Sequence, residues 1–359
     1  MSMSVGIVGL PNVGKSTLFN AILRRQVAYV ANYPFATIEP NVGIVEVPDM
    51  RVDRLAKLSN SAKKVYSTIT FIDIAGLVRG ASTGAGLGNK FLSHIREVDL
   101  ILMLLRDFDD PNVVREGSVD PKSDREVLLT ELVLKDLETL SKSAKSIRES
   151  PSSEGDSRKF SARILEKSVE MLDSGKLLSS VAWTKEEMSV LAPYNLLTLK
   201  PMLYLLNVSE SDLIRETPVT GSLPLNGAMK VSAKIEYELS GFRPEDRLEY
   251  LKELGLLEAP LDAVIRKSFD MLGLRTFLTT GEKESRAWKF KEGWNAQRCA
   301  GIIHSDFEKS FIAVDVVSYE DFISYSGWKG CRDAGRVRLE GRDYVMQDGD
   351  VVVFRVNTR

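Results

Sequence analysis

The chain has 359 residues, 43% of them apolar, which is more than one hydrophobic core usually covers and points to two or three domains. Lys plus Arg number 48 against 50 Asp plus Glu, so a net charge of −2 excludes binding to nucleic acid or membrane by global charge. Cys299 and Cys331 form no C-x-x-C pair, against a disulfide framework or a zinc site, and no apolar run approaches the roughly 18 residues needed to span a bilayer.

The opening Met-Ser-Met-Ser-Val has no basic or apolar leader, so a soluble, cytoplasmic protein with no membrane or DNA partner is expected. Val5-Gly6-Ile7-Val8 reads as the first strand. Gly9-Leu10-Pro11-Asn12-Val13-Gly14-Lys15-Ser16 follows and matches the phosphate-binding pattern G-x-x-x-x-G-K-[ST] at every fixed position. From Thr17 to Leu23 apolar residues recur at helical spacing. Strand, loop and helix together form a cradle in which backbone N–H groups at the positive end of a helix face an anionic triphosphate. Asn12, Val13, Gly14 and Thr17 should wrap the phosphates, while Lys15 reaches the β- and γ-phosphates. The Ser16 hydroxyl would take one position of an octahedral Mg²⁺.

Tyr33 to Gly43 is bounded by prolines and expected to form an irregular, mobile loop, with Thr37 at the spacing of a second direct Mg²⁺ ligand. Gly43 to Val47 alternates as a strand. Thr68 to Ile72 is another, delivering Asp73-Ile74-Ala75-Gly76 at the strand end where ligands sit in an open α/β sheet. Asp73 can hold Mg²⁺ through water and the Gly76 N–H is spaced for the γ-phosphate, so two loops tethered to one phosphate make a switch. Leu77 stands where many switch GTPases carry a water-orienting Gln, so slow intrinsic turnover is expected.

A glycine-rich run, Gly80 to Gly88, precedes a helix around Phe91 to Arg96, and the wholly apolar Leu100 to Leu105 suits a central parallel strand. The sheet resumes with Met202 to Leu206 and Met229 to Ser232. Between lies a helical insertion over 124–196, with Val133, Leu137, Leu140, Ala144 and Ile147 as one seam and Leu165, Val169 and Leu172 continuing it. A polar tip, Ser150 to Ser157, turns the chain into a projecting hairpin; a pair of ordinary core helices is the alternative.

Base selection falls to Asn207-Val208-Ser209-Glu210, with Ser232-Ala233-Lys234 as the opposite wall. Guanine-specific switches use Asn-Lys-x-Asp. Here Val208 replaces the Lys and Glu210 is one methylene longer than Asp, which should leave guanine's donors imperfectly paired and favour ATP over GTP. From about Glu236 to Leu274 the pattern is helical, with Tyr250, Leu251, Leu254, Leu257, Val264 and Leu272 apolar. Beyond Arg275, alternating strands such as Phe311 to Val317 and Asp350 to Val356 announce a small, mostly β domain.

Taken together, the phosphate loop, Tyr33-Pro34-Phe35-x-Thr37-Ile38-Glu39-Pro40-Asn41, Asp73-Ile74-Ala75-Gly76-Leu77-Val78, Asn207-x-x-Glu210 and Ser232-Ala233-Lys234 resemble the YchF-type, Obg-like ATPases over nearly the whole chain. The resemblance implies an α/β P-loop switch NTPase (G domain) over 1–274 with a helical coiled-coil insertion, then a C-terminal β-grasp (TGS) domain over 275–359. Arg286-Ala287-Trp288 and Gly301 to Lys309 would be the TGS signature. It also implies ribosome association and a K⁺ ion beside Asn12 supplementing Lys15. Some relatives carry His where this chain has Met103, and with His94 and His304 alone no histidine base is expected. The expected function is a Mg²⁺-dependent ATPase, weaker on GTP, that binds the ribosome; the alternative is a GTP-binding translation factor or a nucleotide-gated ribosome- or RNA-binding scaffold with negligible hydrolysis.

Overall fold

A computed structural model describes residues 3–25, 41–74, 87–110, 120–149, 156–214 and 227–357. In chain order the first elements are β1 (Ser4–Val8), α1 (Lys15–Arg24), β2 (Val42–Glu46), α2 (Met50–Leu58), β3 (Lys63–Val65), β4 (Thr68–Asp73), α3 (Leu87–Glu97) and β5 (Leu100–Asp107). The middle of the chain supplies α4 (Pro121–Glu149), α5 (Asp156–Asp173), α6 (Lys185–Leu191), β6 (Met202–Val208), α7 (Glu210–Leu213), β7 (Met229–Val231), α8 (Ala233–Leu239), α9 (Pro244–Glu253) and α10 (Pro260–Met271).

The first sheet has the order β2-β4-β1-β5-β6-β7, and β1 runs parallel to both β4 and β5. All eight residues of β5 are buried, as its unbroken apolar run predicts for a strand covered on both faces. Parallel pairing sends the C-terminal ends of β1, β4, β5 and β6 to one edge, so the loops after them converge there. α3 begins at Leu87, inside the stretch read as a glycine-rich loop to Gly88.

In the helical region the predicted seam forms over its described side chains; the side chain of Ile147 and residues 150–155 of the polar tip lie outside them. Leu140, Leu165 and Leu172 are buried, and Val133, Leu137, Ala144 and Val169 pack against them. The pair is not a bare two-helix arm, however. Leu178, Leu191 and Leu196 join the same cluster, so α6 and the turns after it close a satellite core of their own. α6 starts at a capping box in which Thr184 and Glu187 exchange hydrogen bonds of 3.2 and 2.9 Å. The first half of α4 packs differently, with Leu128 and Leu132 in the core beneath the sheet.

Asp136, with no exposed surface, sits between the halves of α4 and accepts hydrogen bonds from the Leu197 N–H, the Thr198 N–H and the Thr198 hydroxyl at 3.0, 2.8 and 2.7 Å. Burial raises its carboxyl above the ordinary value, against these bonds, which favour the anion. Asp136→Ala leaves three buried donors without their acceptor and is expected to lower stability by about 3 kcal/mol in urea unfolding. A loss under about 0.5 kcal/mol would mean the carboxylate does not hold the helical region down.

The C-terminal part adds β8 (Leu274–Thr280), β9 (Glu284–Lys291), α11 (Ala296–Ile303), α12 (Ser305–Lys309), β10 (Phe311–Ser318), α13 (Tyr319–Ser324), α14 (Trp328–Asp333), β11 (Arg338–Glu340) and β12 (Asp350–Val356). Its sheet has the order β11-β10-β12-β8-β9-β3, with β12 parallel to β8 and antiparallel to β10. This mixed sheet has α11 on one face, where Ala296 and Cys299 join Phe277, Phe290, Val314 and Val352, in keeping with the β-grasp expectation. The domain is less purely β than its strand pattern suggests, because Gly301 to Lys309 lie on α11 and α12. Both cysteines are buried free thiols, and burial pushes Cys299 up to about 12.

By compactness the chain divides into Met1–Gly43 with Thr70–Leu261, and Ile44–Ile69 with Asp262–Arg359, a partition unlike the sequence-based boundary between 274 and 275. The reason lies in α2 and β3. Val52 and Leu55 are fully buried with Leu278, Val317, Phe322 and Val351, each such side chain contributing about 2 kcal/mol, and β3 extends the C-terminal sheet alongside β9. Arg51 donates to Asp348 at 2.8 Å and to Thr276 at 2.8 Å, fixing the start of α2. Leu257, expected on the apolar side of a helix, is wholly exposed in the turn after α9. Among the described residues no helix is long and apolar enough to cross a membrane.

Candidate nucleotide site

The phosphate loop leaves β1 and turns into α1 through two left-handed residues, Asn12 at φ 61° and Gly14 at φ 90°. Gly14 is the N-cap of α1, with no side-chain cap and no acidic residue in the first turn, so the helix presents its free amides and positive end unopposed. A Cβ on Gly9 would stand 2.9 Å from the Leu104 carbonyl oxygen; only glycine lets the loop pass this close to β5.

Asn207, at the end of β6, ties the phosphate loop to the opposite wall. Its side-chain amide donates to the Val13 carbonyl at 2.8 Å and accepts from the Ala233 N–H at 2.9 Å, both bonds buried. Between these elements opens a cavity of about 820 Å³, lined by Leu10 to Asn12, Gly14 to Thr17, Phe108 to Asp110, Asn207 to Glu210 and Ser232 to Lys234. Of the binding residues read from the sequence, Asn12, Gly14, Lys15, Ser16, Thr17, Asn207, Val208, Glu210, Ser232 and Ala233 meet in this one space. Val13 is buried behind the loop and contributes its carbonyl to Asn207.

Lys15 Nζ bonds directly to Asp73 Oδ1, which brings the phosphate lysine and the predicted metal acid together at the ends of α1 and β4. Ser16 follows on the exposed first turn. Among the described residues no three His, Cys, Asp or Glu side chains converge as a metal cage. The donors at hand, one hydroxyl and one carboxylate beside a phosphate cradle, suit Mg²⁺, which keeps waters and takes substrate phosphates rather than an all-protein shell. Thr37 and Gly76 lie outside the described residues, as do Leu77 and the proline-bounded stretch from Tyr33 to Pro40.

At the base end Val208 lines the cavity although it is only 2% exposed and packs in the core cluster beneath the sheet. Glu210 is exposed at the start of α7. Phe108, Asp109 and Asp110 are the lining residues that sequence reasoning missed; the available signal was their position directly after the most buried strand, where α/β sheets place ligands. Phe108 is held from below by buried Arg106, whose Nε donates to the Phe108 carbonyl at 3.1 Å and whose guanidinium lies 4.5 Å from the ring centroid.

Among the described residues neither histidine lines the cavity. His94 is exposed on α3, and His304 accepts a hydrogen bond from the Asp306 N–H at 3.2 Å as the cap of α12. Met103 is a core residue with no exposed surface.

Comparison with known proteins follows the two halves of the chain. Residues 4–140 match a family described as a 50S ribosome-binding GTPase, and 274–357 match the YchF-GTPase C-terminal family, described as a protein of unknown function. A Bacillus subtilis (strain 168) protein named ribosome-binding ATPase YchF is 47% identical, covering 99% of this chain and 100% of its own. One of the same name from Escherichia coli O157:H7 is 41% identical with the same coverage. The structure of the Schizosaccharomyces pombe YchF GTPase is similar with a TM-score of 0.87 at 36% identity, over 99% of this chain and 98% of that one.

Proposed function

Since this chain belongs to the YchF family of Obg-like P-loop proteins, we propose that it is a Mg²⁺-dependent ATPase that prefers ATP to GTP and associates with the ribosome. The bacterial relatives are named ribosome-binding ATPases and the fission-yeast relative a GTPase, so the names alone leave the base open. The observation that carries the reading is the base end of the cavity. Asn207 is committed to Val13 and Ala233, and Val208, packed in the core cluster, stands where guanine switches hold a Lys along the base. Backbone donors and acceptors beside Val208 can then serve adenine's N1 acceptor and N6 donor.

In this reading Lys15 and the loop amides neutralise charge on the transferred phosphoryl group, and the Gly76 N–H adds a donor at the γ-phosphate. Ser16 and Thr37 would hold Mg²⁺ directly and Asp73 through water; the ion supplies charge neutralisation across the β- and γ-phosphates. Asn12, left-handed and on the cavity wall, would hold K⁺ beside Lys15. A G domain over 1–274, with the helical insertion at 124–196, a TGS domain over 275–359 and a cytoplasmic location, the one a ribosome partner calls for, complete the proposal.

Glu210→Asp tests the base reading on an exposed side chain. The shorter carboxylate should raise GTP affinity relative to ATP by about tenfold, measured by calorimetry, since a well-placed carboxylate pairs two guanine donors. An unchanged ratio would show that Glu210 does not face the base. For the partner, co-sedimentation with ribosomes should be stronger with a non-hydrolysable ATP analogue than with ADP; equal pelleting in both would remove nucleotide gating.

A further inference from the structure

α1 and α8 both start at the cavity and run away from it, α1 from the phosphate cradle and α8 from the base wall at Ala233. Near the cavity Asn207 joins them through the Val13 carbonyl and the Ala233 N–H. They are joined again between the end of α1 and the first turn of α8. Arg25 Nη2 donates to Glu236 Oε2 at 2.7 Å, and the neighbouring Arg24 donates to the Tyr237 hydroxyl at 2.6 Å with its guanidinium 3.8 Å from that ring's centroid. Glu236 has no exposed surface, and its other oxygen accepts from the Leu261 N–H at 2.8 Å. One buried carboxylate thus fixes α8 against both α1 and the start of α10.

We propose that the Arg25–Glu236 ion pair is a positioning pair, setting the separation between the phosphate and base subsites of the nucleotide cavity. The inference rests on the nucleotide reading given above. A ligand that fills two subsites gains from their being held at the right distance, because engagement of the second becomes intramolecular; a ligand that fills one gains nothing. Neither residue of the pair lines the cavity. Its effect is carried by the first turn of α8, which the pair holds beside the base wall at Ala233, so loosening it lets that wall drift while the phosphate loop, closed locally by Gly14 and Asn207, keeps its shape.

The test compares Mg-ATP with inorganic triphosphate by calorimetry on the full chain. Arg25→Gln is expected to weaken ATP about tenfold and leave inorganic triphosphate unchanged, whereas Arg25→Lys, which keeps the charge, should retain most of the ATP affinity. Glu236→Gln preserves the acceptor for Leu261 and should reproduce the split with less disturbance to folding; thermal unfolding recorded alongside confirms that folded protein is being titrated. A merely structural role would move both ligands together or neither, and either of those results overturns the proposal. Wild-type protein that takes up neither ligand would overturn the nucleotide assignment itself, and this inference with it.

Discussion

Lys15→Ala should reduce ATP hydrolysis by a factor on the order of 10³, read as phosphate release under saturating Mg-ATP. The lysine stands at the N-terminal turn of α1, mostly enclosed, with Asp73 its direct partner, so no other cation among the cavity-lining residues occupies the phosphate end. Lys234 lies on the opposite wall and cannot replace it without leaving the base end. Removing Lys15 deletes a charge needed most when negative charge accumulates on the transferred group, so the loss falls on turnover more than on folding. Turnover within threefold of wild type would mean that the phosphates are not held by this loop.

The second large effect belongs to Gly14→Ala. A methyl group there would stand 2.2 Å from the Asn207 amide nitrogen, at a backbone φ of +90° that side chains rarely adopt. Asn207 cannot step aside, since it is bonded to Val13 on one side and Ala233 on the other. The substitution therefore adds backbone strain, a steric clash and the loss of buried hydrogen bonds. We expect destabilisation of about 3–4 kcal/mol in urea unfolding and no measurable ATP binding. Gly175→Ala is the matched control, because Gly175 is also left-handed at φ +75° but has nothing within 4 Å of the added carbon. It should cost only about 1 kcal/mol and leave binding intact. Equal losses in both variants would show that backbone strain alone, and not the Asn207 bridge, makes Gly14 indispensable.

The phosphate end of the site was legible because its determinants are contiguous: β1, the loop and α1 occupy one stretch, and the Gly-Lys-Ser spacing admits few other geometries. Asn207 and Ala233 were legible as a pair only through their family pattern; that the two touch each other and the phosphate loop follows from β6 and β7 lying side by side, which no local pattern states. Phe108 to Asp110 carry no motif, and their role comes entirely from where β5 ends. The apolar face of α2 was written in Val52 and Leu55, but periodicity tells that a face must be covered and not by what. That is why residues 44–69 read as part of the first domain and pack with the second sheet. Leu257 shows the converse, an apolar residue at a suitable spacing whose helix has already ended.

Calorimetric titration of the purified chain with Mg-ATP and, separately, with Mg-GTP bears most directly on the idea that this cavity cradles a triphosphate and selects adenine through backbone groups beside Val208. The expected result is one site per chain, with ATP bound at least about tenfold more tightly than GTP. GTP bound as tightly as ATP or more so, or the absence of saturable ATP binding, would contradict it.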